Sequence, residues 1–228
     1  MSRSIEALVD EQARRWAVRR GESPHEERQP VVTLARMHGA RGDALARRVA
    51  EQLGFALFDQ ELVHRVAESA QLSERVVGTL DEKDRELLTN WLAGFASRTY
   101  ITPVEYRYHL AKVVGAIARQ GGAVIVGRGA HVILGEASAL RVLAVAPLEE
   151  RVRAVMEEEG LAERDARRRI VEVEADRRAY LMKQFHFEFA DPTGFDVVVN
   201  TAALGLDGAA QVVVHALALR GARVPALA

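Results

Sequence analysis

The sequence predicts an α/β protein: a three-layer sandwich around a parallel five-stranded sheet, carrying an N-terminal helical arm. Apolar, mostly β-branched runs of strand length recur at 31–35, 55–58, 123–127, 140–146 and 195–200. Amphipathic stretches at helical spacing separate them. Strands alternating with helices imply parallel pairing through right-handed crossovers. The first run also leads through a glycine-containing turn, RMHGARG, into a helix.

Residues 4–20 place Ile5, Leu8, Val9, Ala13, Trp16 and Ala17 near one helical face, and the polar 21–30, with a glycine and two prolines, reads as a linker. Residues 1–29 are thus an arm before a domain over 30–228. The arm either packs on its own domain or makes a homodimer contact through Trp16. VVTLA (31–35) suits a buried parallel strand, and 43–54 puts Leu45, Ala46, Val49, Ala50 and Leu53 on one face before Gly54. After FALF (55–58), helices are expected over 60–69, 73–90 with Ser73 as cap, and 103–120. The later strands are followed by helices from about Pro147, over 162–183 and over 207–220. Ligand-binding loops should follow 35, 58, 127 and 146, where strands end at their carboxyl edge.

Lys and Arg total 31 against 32 Asp and Glu, so the global charge of −1 gives no argument for a nucleic-acid or anionic-membrane partner. There are no cysteines, which excludes disulfides, thiol catalysis and cysteine-held metals. No apolar run of spanning length and no secretory core are read, so a cytoplasmic location is expected. The histidines at 38, 64, 109, 131, 186 and 215 lack metal-ligand spacing, and no metal site is expected. Trp91, Phe95, Tyr100, Tyr106 and Tyr108 make an aromatic-rich stretch, with packing as the default role and base stacking as the alternative.

The turn after the first strand runs A-R-M-H-G-A-R-G-D-A-L-A over 35–46. A helix N-terminus behind a strand offers free N–H groups to an anion. The full phosphate-binding pattern, G-x-x-x-x-G-K-[ST], is absent, and two glycines alone are weak evidence. The order and spacing of further segments are more specific: F-D-Q-E-L-V (58–63), L-D-E-K (80–83), V-I-V-G-R-G-A (124–130), R-V-L-A-V-A-P-L-E-E-R-V (141–152), E-A-D-R-R-A-Y (174–180) and D-P-T-G-F-D-V-V-V-N-T (191–201). With the turn, they make the chain resemble the cytidylate kinase-like family over nearly all its length from residue 31.

The resemblance implies a P-loop nucleotide-kinase fold, with an acceptor-side helical insertion about 60–120 and a lid about 160–190. It also implies ATP with Mg²⁺ and phosphoryl transfer to a CMP-like nucleoside monophosphate. Arg36, Gly39, Ala40, Arg41, Gly42 and Asp43 then hold the donor phosphates. The loop is degenerate: in register, Gly42 stands at the lysine and Asp43 at the Ser or Thr that touches Mg²⁺. Arg41 or Arg36 could restore the missing charge. Asp43 either caps the helix or repels a polyphosphate unless a metal lies between. Arg128 falls where an arginine binds the acceptor phosphate, although Gly129 stands where an aspartate follows it; otherwise Arg128 is a solvated loop charge. Asp59 either lies beside the acceptor nucleoside or caps a helix. Arg177 and Arg178 fall in the lid; Arg178 is the expected catalytic partner of Arg41, and Lys183 is expected on the acceptor side. Interleaved acids make a salt-bridged surface the plainer account of the other charges. Two functions follow: a nucleotide kinase, or a catalytically inactive nucleotide-binding or interaction module.

Overall fold

β1 (Val31–Arg36) is central in the sheet because its side chains from Val31 to Ala35 are all buried and both its edges are paired. The computed structural model describes residues 5–22, 29–98, 105–189 and 191–220. Tyr100, most of the predicted linker and the side chain of Phe95 lie outside the described residues. All five predicted strands form: β2 (Ala56–Phe58), β3 (Ala123–Val126), β4 (Leu140–Val145) and β5 (Val197–Asn200) join β1 in the order β2-β3-β1-β4-β5. Every pairing is parallel, and Leu34 lies between Val126 and Val142.

The two-residue period of the strands divides the core. Val32, Leu34, Val124 and Val126 face α2 (Gly42–Leu53) and α10 (Thr201–Leu219). Val31, Ala123 and Ile125 face a layer containing α3 (Gln60–Glu68), α4 (Ala70–Gly78), α5 (Glu82–Arg98), α6 (Glu105–Gln120) and α7 (Ala130–Ser138). α8 (Leu148–Glu159) and α9 (Glu163–Phe185) pack together through Val152, Val155, Ala166 and Ile170.

The arm helix, α1 (Ile5–Glu22), lies on its own chain. Trp16 is buried and stacks on Phe58 at 5.8 Å, and Asp10 pairs with Arg75 at 2.9 Å. Of the two roles offered for Trp16, packing on its own domain is the one the structure displays.

Three helical boundaries differ from the sequence reading. The helix expected over 73–90 is two: Ser69 caps α4 by accepting from Leu72 N, and Asp81 accepts from Asp84 N at the start of α5. Ser73 is instead buried inside α4. α7 was not expected; Gly135, at φ 65°, interrupts its periodicity. α10 begins at Asn200, which accepts from Ala202 N and Ala203 N, before Gly205 breaks the helix at φ 66°. By length and composition α10 could cross a membrane. Its Ala209, Ala210, Val213, Val214 and Leu217 are buried in the core, however.

Candidate functional site at the carboxyl edge of the sheet

The turn after β1 is tied down on three sides. Met37 N donates to Ala144 O at 3.0 Å, Ala40 N to Met37 O at 3.2 Å, and Thr201 Oγ1 to Ala40 O at 2.9 Å. Gly39 has φ 79°, and a Cβ there would lie 2.5 Å from the Arg151 carbonyl of α8, so only glycine fits. Arg41 takes a glycine-like conformation, φ 51°, at a cost of about 1 kcal/mol. No side chain caps α2. Its first amides, at Gly42, Asp43 and Ala44, therefore open at the positive end of a helix.

Gly42 has a local cause. A Cβ at this position would meet Cβ of Arg36 at 2.4 Å and its Cγ at 2.7 Å. The stem of Arg36 lies over the backbone where a lysine side chain would otherwise start. Its side chain is 10% exposed and contacts Asp43 through Nε at 3.3 Å and Nη2 at 3.1 Å. On the other side, Arg36 Nη1 is 2.7 Å from the place a Gly127 Cβ would take. Arg36 thus reaches from the β1 turn to the turn after β3. Arg41 points elsewhere: its side chain is 49% exposed and Nη2 pairs with Glu157 at 2.8 Å.

Arg177, rather than Arg178, is directed at the turn. Arg177 Nη1 donates to the Arg36 carbonyl at 3.0 Å. Burial, followed by the nearby Arg36 charge, lowers its pKa to about 10. Arg178 is exposed, with Nε 3.5 Å from the Glu174 carbonyl of its own helix, and Lys183 is exposed. Helical spacing could have separated the two arginines, because Arg177 lies on the stripe of Ile170, Glu174 and Leu181. Arg151 was not singled out from the sequence. It is buried and joins the β1 turn to α9, donating through Nη1 to the His38 carbonyl at 3.3 Å and to Glu174 Oε1 at 2.5 Å. Arg167 pairs with Glu149 and Glu163, Arg168 with Asp165, and Arg169 with Glu159.

After β3, Gly127, Arg128 and Gly129 take φ of 73°, 51° and 71° in succession. A Cβ on Gly129 would lie 2.4 Å from the Phe185 ring of α9, which fills the space an aspartate would need. The Arg128 guanidinium lies 5.8 Å from the centre of the Tyr180 ring. Its Nε is buried without a hydrogen-bond partner among the described residues, while the buried Tyr180 hydroxyl interacts with Tyr106 and Arg128. Burial and the neighbouring Tyr106 push the Tyr180 phenol well above its usual range. Tyr106 Oη meets His64 Nδ1 at 2.9 Å. Burial, then Arg128, lowers the His64 pKa. Asp59 is exposed and caps α3, accepting from Leu62 N at 2.8 Å. His131, a turn beyond Arg128, is buried between Phe187 and Phe195, and burial followed by Arg141 lowers its pKa to about 4. Trp91 packs into the helical layer and Tyr108 is exposed. Sequence inspection did not select the His64, Tyr106 and Tyr180 grouping, since they lie on three separate helices.

No group of three or more His, Cys, Asp or Glu side chains could hold a metal among the described residues. Asp43 remains as one carboxylate beside the uncapped helix end. One carboxylate completed by phosphate oxygens and water is enough for Mg²⁺.

A profile of the cytidylate kinase-like family matches residues 31–203. The chain is 26% identical over 187 residues to the cytidylate kinase of Thermococcus kodakarensis, covering 82% of this chain and 87% of that protein. Among solved structures, an uncharacterized protein from Eubacterium ventriosum superposes with a TM-score of 0.59 at 18% identity, covering 83% of this chain and 99% of that one. A shikimate kinase from Bacteroides thetaiotaomicron aligns with a TM-score of 0.48 at 16% identity, over 83% and 98% of the two chains.

Proposed function

Because this chain belongs to the cytidylate kinase-like family, we propose that it transfers the terminal phosphoryl group of ATP to a nucleoside monophosphate, CMP-like by family resemblance. The observation that carries the reading is the position of Arg36, between Asp43 on the β1 turn and Gly127 on the β3 turn. A cation between donor and acceptor turns stands where negative charge develops in phosphoryl transfer.

In this reading the turn from Gly39 through Ala40, Arg41, Gly42 and Asp43 cradles the donor phosphates with backbone amides. Arg36 replaces the absent lysine, and Arg177 adds a second cation from the lid. Arg128 binds the acceptor phosphate, its buried Nε being a donor without a partner among the described residues. Tyr180 and Tyr106 line the same side and exclude water. Bound Mg²⁺ would neutralise charge on the donor phosphates, with Asp43 as its protein ligand. A soluble cytoplasmic location fits these substrates.

The second reading, a nucleotide-binding module without turnover, draws on one feature: Arg36 is already paired with Asp43. A coupled kinase assay over a panel of nucleoside monophosphates separates the two. Turnover lost on replacing Arg36 or Arg128 supports the kinase. Nucleotide-dependent thermal stabilisation without turnover supports the module.

A further inference from the structure

We propose that Asp43 makes the donor site selective for a metal-complexed polyphosphate, by acting as a built-in anion that a metal-free polyphosphate cannot displace favourably. The inference rests on the reading of the β1 turn as the donor site.

Both oxygens of Asp43 lie on a single guanidinium, at 3.1 and 3.3 Å, with Arg36 itself only 10% exposed. The carboxylate also sits in the first turn of α2, at the positive helix end that no other side chain caps. It therefore draws on two of the features that would attract a phosphate: the cation and the helix end. The Arg177 guanidinium shares this environment and feels both Arg36 and Asp43. Two cations and one anion leave a single net positive charge for a ligand carrying several negative ones.

A polyphosphate arriving alone would take Arg36 from Asp43 and leave the carboxylate facing the phosphate oxygens. Two like charges at such separation disfavour binding. A divalent cation between them reverses the sign, because the displaced carboxylate becomes its ligand. Asp43, with its side chain 54% exposed, is free to turn toward such an ion. An uncharged residue here would remove the discrimination and leave Arg36 free for the anion.

Calorimetric titration with inorganic tripolyphosphate and with ATP, in chelator or in excess magnesium, tests this on the wild type, Asp43→Asn and Asp43→Ser. The wild type should bind both ligands on the order of tenfold more tightly with magnesium. Both variants should lose most of this ratio by binding the metal-free ligands more tightly. Circular dichroism should show all three proteins equally folded, since Asp43 is a surface residue. A wild type that binds equally with and without magnesium overturns the inference and leaves the donor site standing. Variants that keep the wild-type ratio overturn it as well. Failure of all three proteins to bind under any condition removes the donor site, and the inference with it.

Discussion

The two turns at the carboxyl edge of the sheet treat their arginines in opposite ways. On the β1 turn, Arg36 is paired with Asp43 and Arg41 with Glu157. At the β3 turn, Arg128 Nε, and a helical turn further on His131 Nε2, are buried without a hydrogen-bond partner among the described residues, as is Arg151 Nε behind the β1 turn. A buried polar group left unmet costs about 1–3 kcal/mol. A paired cation instead must exchange its partner before it binds anything. The β1 turn is therefore self-neutralised, whereas Arg128 at the β3 turn keeps an unmet donor.

The strongest way to break this contrast is Arg36→Ala. It removes a cation that reaches both turns and should lower kcat/KM on the order of 1000-fold. A loss of only a few fold, in the coupled assay, would place the transferring group elsewhere. The next test concerns stability. His131 is held neutral, with a pKa lowered from 6.5 to about 4, whereas the unfolded chain takes up a proton as the pH falls through 6.5. Its contribution is thus present above the unfolded value and is lost between the two, roughly 3 kcal/mol in all. Urea unfolding at stepped pH should show this slope in the wild type and a shallower one in His131→Phe.

Arg128→Ala should lower kcat/KM for the acceptor on the order of 100-fold, and lysine should restore little of it because the guanidinium also lies on Tyr180. An unchanged acceptor KM would make Arg128 a loop charge. Tyr180→Phe removes a buried hydroxyl that interacts with Tyr106 and Arg128. It should lower stability by about 1 kcal/mol in thermal unfolding while weakening acceptor binding. Smallest of all, Arg41→Ala should change turnover less than about twofold, since its exposed pair contributes under about 1 kcal/mol. A large effect would restore Arg41 as the donor-side cation and remove the self-neutralised account.

Sequence alone determined the five strands, their parallel order of alternation, the turn after β1 and the family. These follow from local patterns: β-branched runs at strand length, amphipathic helical spacing, and glycines at turns. It also placed Arg36, Asp43 and Arg128 on the turns that the sheet brings together. What only tertiary structure decided was direction. Arg36 and Arg41 are equal candidates in a string of letters; the backbone at Gly42 leaves room for the stem of one, and Glu157 on α8 takes the other. Gly129 reads as a lost aspartate until the Phe185 ring of α9 is seen filling its place. Residues such as Arg151 and Tyr180 acquire meaning from neighbours far away in the chain. Side-chain direction depends on charge and volume supplied by other elements, and those are not written next to the residue they constrain.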